Sequence, residues 1–266
     1  MRALRVTVGQ YFPAESPIHR LDPRVKICLT MLLMVAIFMV RSFTGFAGLG
    51  LLLCLVVYVG QLPWSWILRG LKPLRYVLLF TLVMHLLFTP GLVILLLGPL
   101  RITQEGLQNG LFFCARLVLL VSGTSLLTFT TTPIELTDGI EYLLSPFRRF
   151  KVPAHELAMM MTIALRFIPT LLVETEKIMK AQMARGADFE SGNIFRRARS
   201  LVPLLVPLFV SVFRRADELA LAMESRCYRG GEGRTRMRAL RMEGKDWLMG
   251  LATVVLLVLA ILVGLP

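Results

Sequence analysis

Acidic residues are scarce in this 266-residue chain: 17 Asp and Glu stand against 30 Lys and Arg, a formal net charge of +13. Histidine and cysteine are scarcer still, at three and four. Cys28, Cys54, Cys114 and Cys227 are far apart, and the first three lie inside apolar stretches. That spacing argues against a disulfide framework and a cysteine metal site. His19, His85 and His155 form no HExxH and no cluster, so no metal centre is expected. A phosphate-binding glycine loop is missing too. The nearest string, Glu243-Gly244-Lys245-Asp246, lacks the upstream glycine spacing and the Ser/Thr that such a loop needs. The chain is therefore not expected to bind ATP or any other cofactor. There is no evident cleavable leader: the first apolar run begins only at Ile27 and lacks a small-residue cleavage site.

What the chain has is apolar length. Hydrophobic residues make up 56% of it and the mean hydropathy is +0.68, too apolar for a soluble domain of this size. The expectation is an all-α integral membrane protein. Arginines cluster in loops beside apolar segments, which positive-inside topology explains better than a nucleic-acid patch does. Span one is read at about 27–40, span two within the uncharged run 42–68, span three from Tyr76 to the Pro90-Gly91 interruption, and span four at 107–130. Gly45, Gly48 and Gly50 suit close helix packing, and Trp64 and Trp66 an interfacial belt. The stretch around 91–105 is read as a re-entrant or interfacial return. A fifth span follows Asp246. Residues 1–132 then form a four-span N-terminal part, 133–246 a cytoplasmic part, and 247–266 the last span. The charges place the N-terminus in the cytoplasm and the C-terminus outside.

Residues 135–246 mix 19 basic and 14 acidic residues with apolar ones at helical spacing, as expected of helices in and under a membrane surface. Three are predicted. The first opens on a capping box, Thr132-Pro133-x-Glu135, with Ile140, Leu143, Leu144 and Phe147 on one face. The second runs from Pro153 to Arg185, kinked at Pro169 and capped by Gly186. The third runs from Ile194 to Tyr228, bent near Pro203 and Pro207. Its stripe of Phe213, Ala216, Ala220, Met223 and Cys227 is a packing face for the second helix or a partner.

Each long helix ends in a small–Arg–small triplet: Ala184-Arg185-Gly186 and Ser225-Arg226-Cys227. An arginine there can simply complement the helix dipole, worth about 0.3–1 kcal/mol. Two occurrences favour another role, in which small neighbours leave a guanidinium fork free to enter a pocket on a partner.

Together with "SPIHRLDPRVKI", "LRFIPTLLVETEKIMKAQMARG", "LVPLLVPLFVSVFRRADELALAMESRCYRG" and "GRTRMRALR", these triplets give the chain a resemblance to the transmembrane T component of energy-coupling factor (ECF) transporters. The resemblance spans essentially the whole sequence. One departure is Ser-Arg-Cys where Ala-Arg-Gly is commoner. The resemblance implies a coupling subunit, not an enzyme, in a prokaryotic cell (inner) membrane. It implies two partner ABC-type ATPases that bind the ATP and receive Arg185 and Arg226, and a membrane S component that binds a vitamin or related micronutrient. A dedicated cobalt, nickel or biotin importer is the alternative. The family's N-terminal motif falls on Asp22, Pro23 and Arg24, read as a helix cap, a helix start and a headgroup anchor. Arg166 is expected to pair with an acid on a neighbouring helix. Arg116 lies inside span four, where an ion is costly; it either has a function, lies near a hydrated edge or pairs with backbone. His85 is read as a packed or carbonyl-bonded histidine. The methionines, including Met159 to Met161, fill the core or line adaptable surfaces. An intramembrane enzyme would need convergent polar groups and a secondary transporter internal repeats; the sequence offers neither.

Overall fold

The computed structural model describes residues 11–97, 100–150, 153–189, 193, 195, 199–231 and 242–264. The described chain is helical apart from one short hairpin. Its contacts divide it into one unit of residues 9–139 and 238–266 and another of residues 140–237.

The first unit begins with a short turn of helix, α1 (Pro17–Arg20), and then α2 (Pro23–Met39). Asp22 caps α2 by accepting the Arg24 N–H at 2.9 Å, with Pro23 in the first position, where its missing N–H costs nothing. Helix α3 (Phe43–Val59) starts on Ser42, whose Oγ accepts the Gly45 N–H at 3.2 Å. After Gly60 the chain breaks and resumes as α4 (Trp64–Leu71) and α5 (Arg75–Phe88), bent by 57°. An antiparallel hairpin follows, β1 (Val93–Leu97) and β2 (Leu100–Thr103), with Leu97 opposite Leu100 and an irregularity between Val93 and Leu95. This is what occupies the stretch read from sequence as a re-entrant or interfacial return. An all-apolar run of this length has no period that separates strand from helix. Helix α6 (Gln104–Thr130) then crosses the unit, and α10 (Gly244–Gly264) packs on α2 and α3.

The core joins Leu33, Ile37, Leu49, Leu53, Leu126, Phe129 and Leu257 from α2, α3, α6 and α10. Two crossings need glycine. A methyl group on Gly45 would lie 2.8 Å from the Gly264 Cα, and one on Gly106 would lie 2.7 Å from the His85 carbonyl. Helices that approach this closely gain van der Waals contact, the term that holds apolar helices together where lipid removes the hydrophobic driving force. The unit's outer apolar residues stay uncovered, among them Leu51 at 74% and Leu262 at 65% exposure.

Buried polar groups tie the two ends of this unit together. Asp246, on the first turn of α10, accepts the backbone N–H of Asp22 at 3.2 Å and of Glu243 at 2.8 Å. Lys26 donates to the carbonyls of His19 and Thr130, both at 2.9 Å. His19 bridges Ser16 Oγ and the Phe12 carbonyl. Burial, then the Lys26 charge, hold its pKa below the usual histidine range. The unfolded chain thus takes up this proton first. The contribution of His19 to stability is complete above about pH 6.5 and lost as the pH falls below it. Melting temperature should therefore fall on acidification below that pH, and His19→Gln should flatten the slope.

The second unit contains the end of α7 (Pro133–Leu144), a 3-10 turn at Ser145–Phe150, α8 (Ala154–Ala184) and α9 (Val202–Ser225). The capping box at the start of α7 forms reciprocally: the Thr132 N–H meets Glu135 Oε2 at 3.1 Å and the Glu135 N–H meets Thr132 Oγ1 at 3.3 Å. The face read as apolar is not a buried one, since Ile140 and Phe147 are exposed and α7 buries Thr137 and Gly139 instead. Helix α8 runs unbroken through Pro169. The third predicted helix breaks at Leu201, so α9 begins at Val202 rather than 194 and carries Pro203 in its first turn, where proline is tolerated.

By length and apolarity, α6, α8 and α10 can cross a bilayer, and the bent α4–α5 pair is a fourth candidate. Helices α2 and α3 have 17 residues each, which is why five spans are not reached on these grounds. Helix α8 is among the candidates although the charge pattern placed it with the cytoplasmic helices.

Candidate functional site: two arginine-capped helix tips

The two long helices end in the same backbone motif. Arg185 is the C-cap of α8, and Gly186 follows in the left-handed region at φ +88°. The Gly186 N–H reaches back to the Met183 carbonyl and the Ala187 N–H to the Gln182 carbonyl. Arg226 is the C-cap of α9, and Cys227 follows at φ +54°. The Cys227 N–H reaches back to the Glu224 carbonyl and the Tyr228 N–H to the Met223 carbonyl. Both are Schellman closures, which satisfy the last carbonyls with backbone alone. The arginine side chains are not needed for capping. Ala184, Arg185, Gly186, Ser225, Arg226 and Cys227 are all exposed, and among the described residues neither guanidinium has a hydrogen-bond or ion-pair partner.

This geometry explains the small residue after each arginine: it occupies the left-handed position. Glycine does so freely, whereas cysteine is strained there by about 1–2 kcal/mol. Cys227→Gly should therefore raise stability by about 1 kcal/mol, and Gly186→Ala should lower it by a similar amount. Thermal unfolding of the two purified variants checks both signs.

The tips are held far apart by an antiparallel pairing of α8 and α9. Gln182 Nε2 donates to the Pro203 carbonyl at 3.2 Å, fixing the start of α9 at the end of α8. Further along, Ser211 Oγ donates to Glu174 Oε1, and Arg215 Nη2 donates to Glu174 Oε2 at 2.8 Å. Beyond Arg226 the chain reaches the base of α8, where a methyl group on Gly231 would lie 2.4 Å from the His155 ring. His155 Nδ1 lies 3.0 Å from Glu141 Oε1. The two arginines thus sit toward opposite ends of a 31-residue helix, on the order of 40 Å apart at 1.5 Å per residue.

Sequence reasoning missed the Glu174–Ser211–Arg215 and His155–Glu141 contacts. The only available signal was polar residues placed on otherwise apolar faces. The predicted stripe on α9 does not pack on α8: Phe213, Ala216, Ala220 and Cys227 are exposed and Met223 is half-buried, while Leu204 and Ser211 are the buried residues.

The remaining singled-out residues lie away from the tips. Asp22 and Pro23 form the cap of α2, but Arg24 is buried rather than at a headgroup surface, with its Nε 3.7 Å from Asp22 Oδ1. Arg166 is exposed with no acid partner among the described residues, and Pro169 is exposed within α8. Trp64 is exposed, whereas Trp66 turns inward between Phe12 and Phe129. Arg116 donates to the Val40 carbonyl at the end of α2, with its guanidinium 4.9–5.8 Å from the ring centres of Phe38, Phe46, Phe112 and Phe113. Aromatic faces and a helix C-terminus are both favourable to a cation. His85 stacks on Phe113 at 4.7 Å. Among the described residues no His, Cys, Asp and Glu grouping suited to a metal ion occurs. The "GRTRMRALR" motif lies outside the described residues.

Residues 14–237 match the family model for cobalt transport proteins. A Thermosediminibacter oceani protein named energy-coupling factor transporter transmembrane protein EcfT is 60% identical over 93% of this chain and 94% of its own. Proteins of the same name from Heliobacterium modesticaldum and Bacillus subtilis are 57% and 51% identical, over 93% and 90% of this chain and 93% and 91% of their own. A chain matched almost end to end at such identity belongs to the EcfT family, the transmembrane components of ECF transporters.

Proposed function

We propose that this chain is the coupling subunit of an ECF-type importer, passing the motion of two ABC-type ATPases to a membrane S component that holds the substrate. The observation that carries the reading is the pair of tips with one backbone motif: each presents an exposed arginine that its own helix does not use. Two like plugs at opposite ends of one helix hairpin suit two like sockets. Arginine's planar fork suits a paired carboxylate in each. ATP is bound and hydrolysed by the partners, since this chain has no phosphate loop.

The membrane arrangement we infer has five crossings, made by α2, α3, α5, α6 and α10, with the N-terminus inside and the C-terminus outside. Helices α8 and α9 belong to the coupling part. Glu174, Glu176, Lys177 and Lys180 fill the last turns of α8, and Arg214, Arg215, Asp217 and Glu218 the middle of α9; these charges are costly in hydrocarbon. Val206, Phe209, Val210 and Phe213 on α9 are exposed, and an apolar face of this kind needs a partner to cover it. The S component is that partner, and vitamins or related micronutrients are the substrate class. The cobalt transport family match supports a second reading, an importer dedicated to cobalt or nickel.

Affinity purification of the tagged chain from its native membranes tests the proposal. Recovery of ATPases carrying a phosphate loop supports it, and the S component recovered with them decides between vitamin and metal ion. A chain that purifies without any nucleotide-binding partner refutes it.

A further inference from the structure

The elbow between α4 and α5 carries a feature the coupling role does not use. Between Asp22 and Glu105 the sequence has no acidic residue. In the middle of this stretch the string Leu68-Arg69-Gly70-Leu71-Lys72-Pro73-Leu74-Arg75 repeats a leucine followed by a cation every three residues. The backbone matches that period. The Lys72 N–H bonds the Arg69 carbonyl, the Leu74 N–H the Leu71 carbonyl and the Arg75 N–H the Lys72 carbonyl. These are three-residue, 3-10-type bonds, and in such a turn side chains three apart eclipse one another. Arg69, Lys72 and Arg75 therefore stand in one row. All three are exposed, and among the described residues none pairs with a carboxylate.

Apolar groups flank the row. Trp64 and Leu68, one turn apart on α4, are 52% and 61% exposed, while Ile67 is turned into the core. At the start of α5, Tyr76 is 66% exposed. The Arg75 guanidinium lies 4.6 Å above the Tyr76 ring and its Nη2 donates to the phenol oxygen at 2.6 Å. An indole, a leucine and a phenol beside three aligned cations is the composition of a membrane–water boundary. An acidic protein partner would be met by the cations but not by the exposed apolar rim, which two apolar helices hold beside the hydrocarbon.

We propose that the α4–α5 elbow binds anionic lipid headgroups, with phosphate oxygens accepting from Arg69, Lys72 and Arg75 while Trp64 and Leu68 enter the acyl region. Each cation near an anionic membrane surface is worth about a fivefold gain in local occupancy.

The test reads Trp64 fluorescence in a Trp247→Phe background, with the protein in phosphatidylcholine bilayers containing brominated phosphatidylglycerol or, at equal mole fraction, brominated phosphatidylcholine. Trp66, packed between Phe12 and Phe129, serves as a constant background. The expected result is a lipid association constant at least about fivefold higher for the anionic quencher. The excess should be lost in R69Q/K72Q/R75Q and kept in R69K/R75K. Equal quenching of the starting protein by the two lipids overturns the proposal without any variant. So does an excess that survives in a folded triple variant, which would place the anionic lipid elsewhere.

Discussion

Replacing Arg185 and Arg226 together by alanine should abolish ATP-driven uptake while leaving the subunit folded. The two halves of this expectation rest on different observations. Folding should survive because both helix ends are closed by backbone hydrogen bonds and both side chains project into solvent. The loss is confined to the dipole contribution, at most about 1 kcal/mol per tip. Uptake should fail because buried interface arginines cost about 2–4 kcal/mol each when truncated. Two such losses weaken docking by a factor on the order of 10³ or more. Each single variant should retain partial coupling. Lysine at either position keeps the charge but not the paired fork, so it should rescue only in part. Uptake into proteoliposomes, beside melting temperature and helix content, separates the outcomes.

Glu174→Ala should weaken both the fold of the second unit and the coupling, with the two tips chemically intact. Glu174 is 21% exposed and accepts from Ser211 and Arg215 at once. Hydrogen bonds to a charged group contribute about 1.5–3 kcal/mol, and the alanine variant removes the acceptor of both. Arg215 would be left beside an apolar face without its counter-charge. The expected loss is about 2–3 kcal/mol, read as a lower melting temperature. The double variant with Arg215→Ala should lose less than the sum of the singles, by about 1 kcal/mol or more, because both changes remove the same contact. In transport the variant should still recruit ATPases yet move less substrate per ATP, because α9 is freed from α8.

The features legible in the sequence share a local cause. The end of α8 was readable to the residue because Arg185-Gly186 states its own cap, and Thr132-Pro133-x-Glu135 did the same for the start of α7. Asp22-Pro23 placed the start of α2. The features that were not legible depend on contacts between distant segments. Nothing local announces that Glu174 meets residues 211 and 215, that Asp246 holds the backbone of Asp22, or that Trp66 turns inward while Trp64 does not. The hairpin at 93–103 was hidden by a run of leucines that fits strand and helix equally. Arg24 was misplaced because a charged residue beside an apolar run suggests a surface; here it lies buried close to the Asp22 cap. The small–Arg–small pattern made the likeness of the two tips legible, but not the left-handed backbone at Cys227, since cysteine is not the residue such a cap calls for. Only the backbone angles show that it does the work of Gly186.

Both tips are expected to insert into nucleotide-hydrolysing partners, and photo-crosslinking from beside the arginines tests that insertion. A photoreactive residue placed at Ala184 or at Ser225 leaves each guanidinium intact. In native membranes both positions should crosslink to an ATPase subunit, and an exposed position about midway between the tips, such as Val173 on α8, should not. Crosslinks from both tips only to lipid or to the substrate-binding membrane subunit would contradict the account.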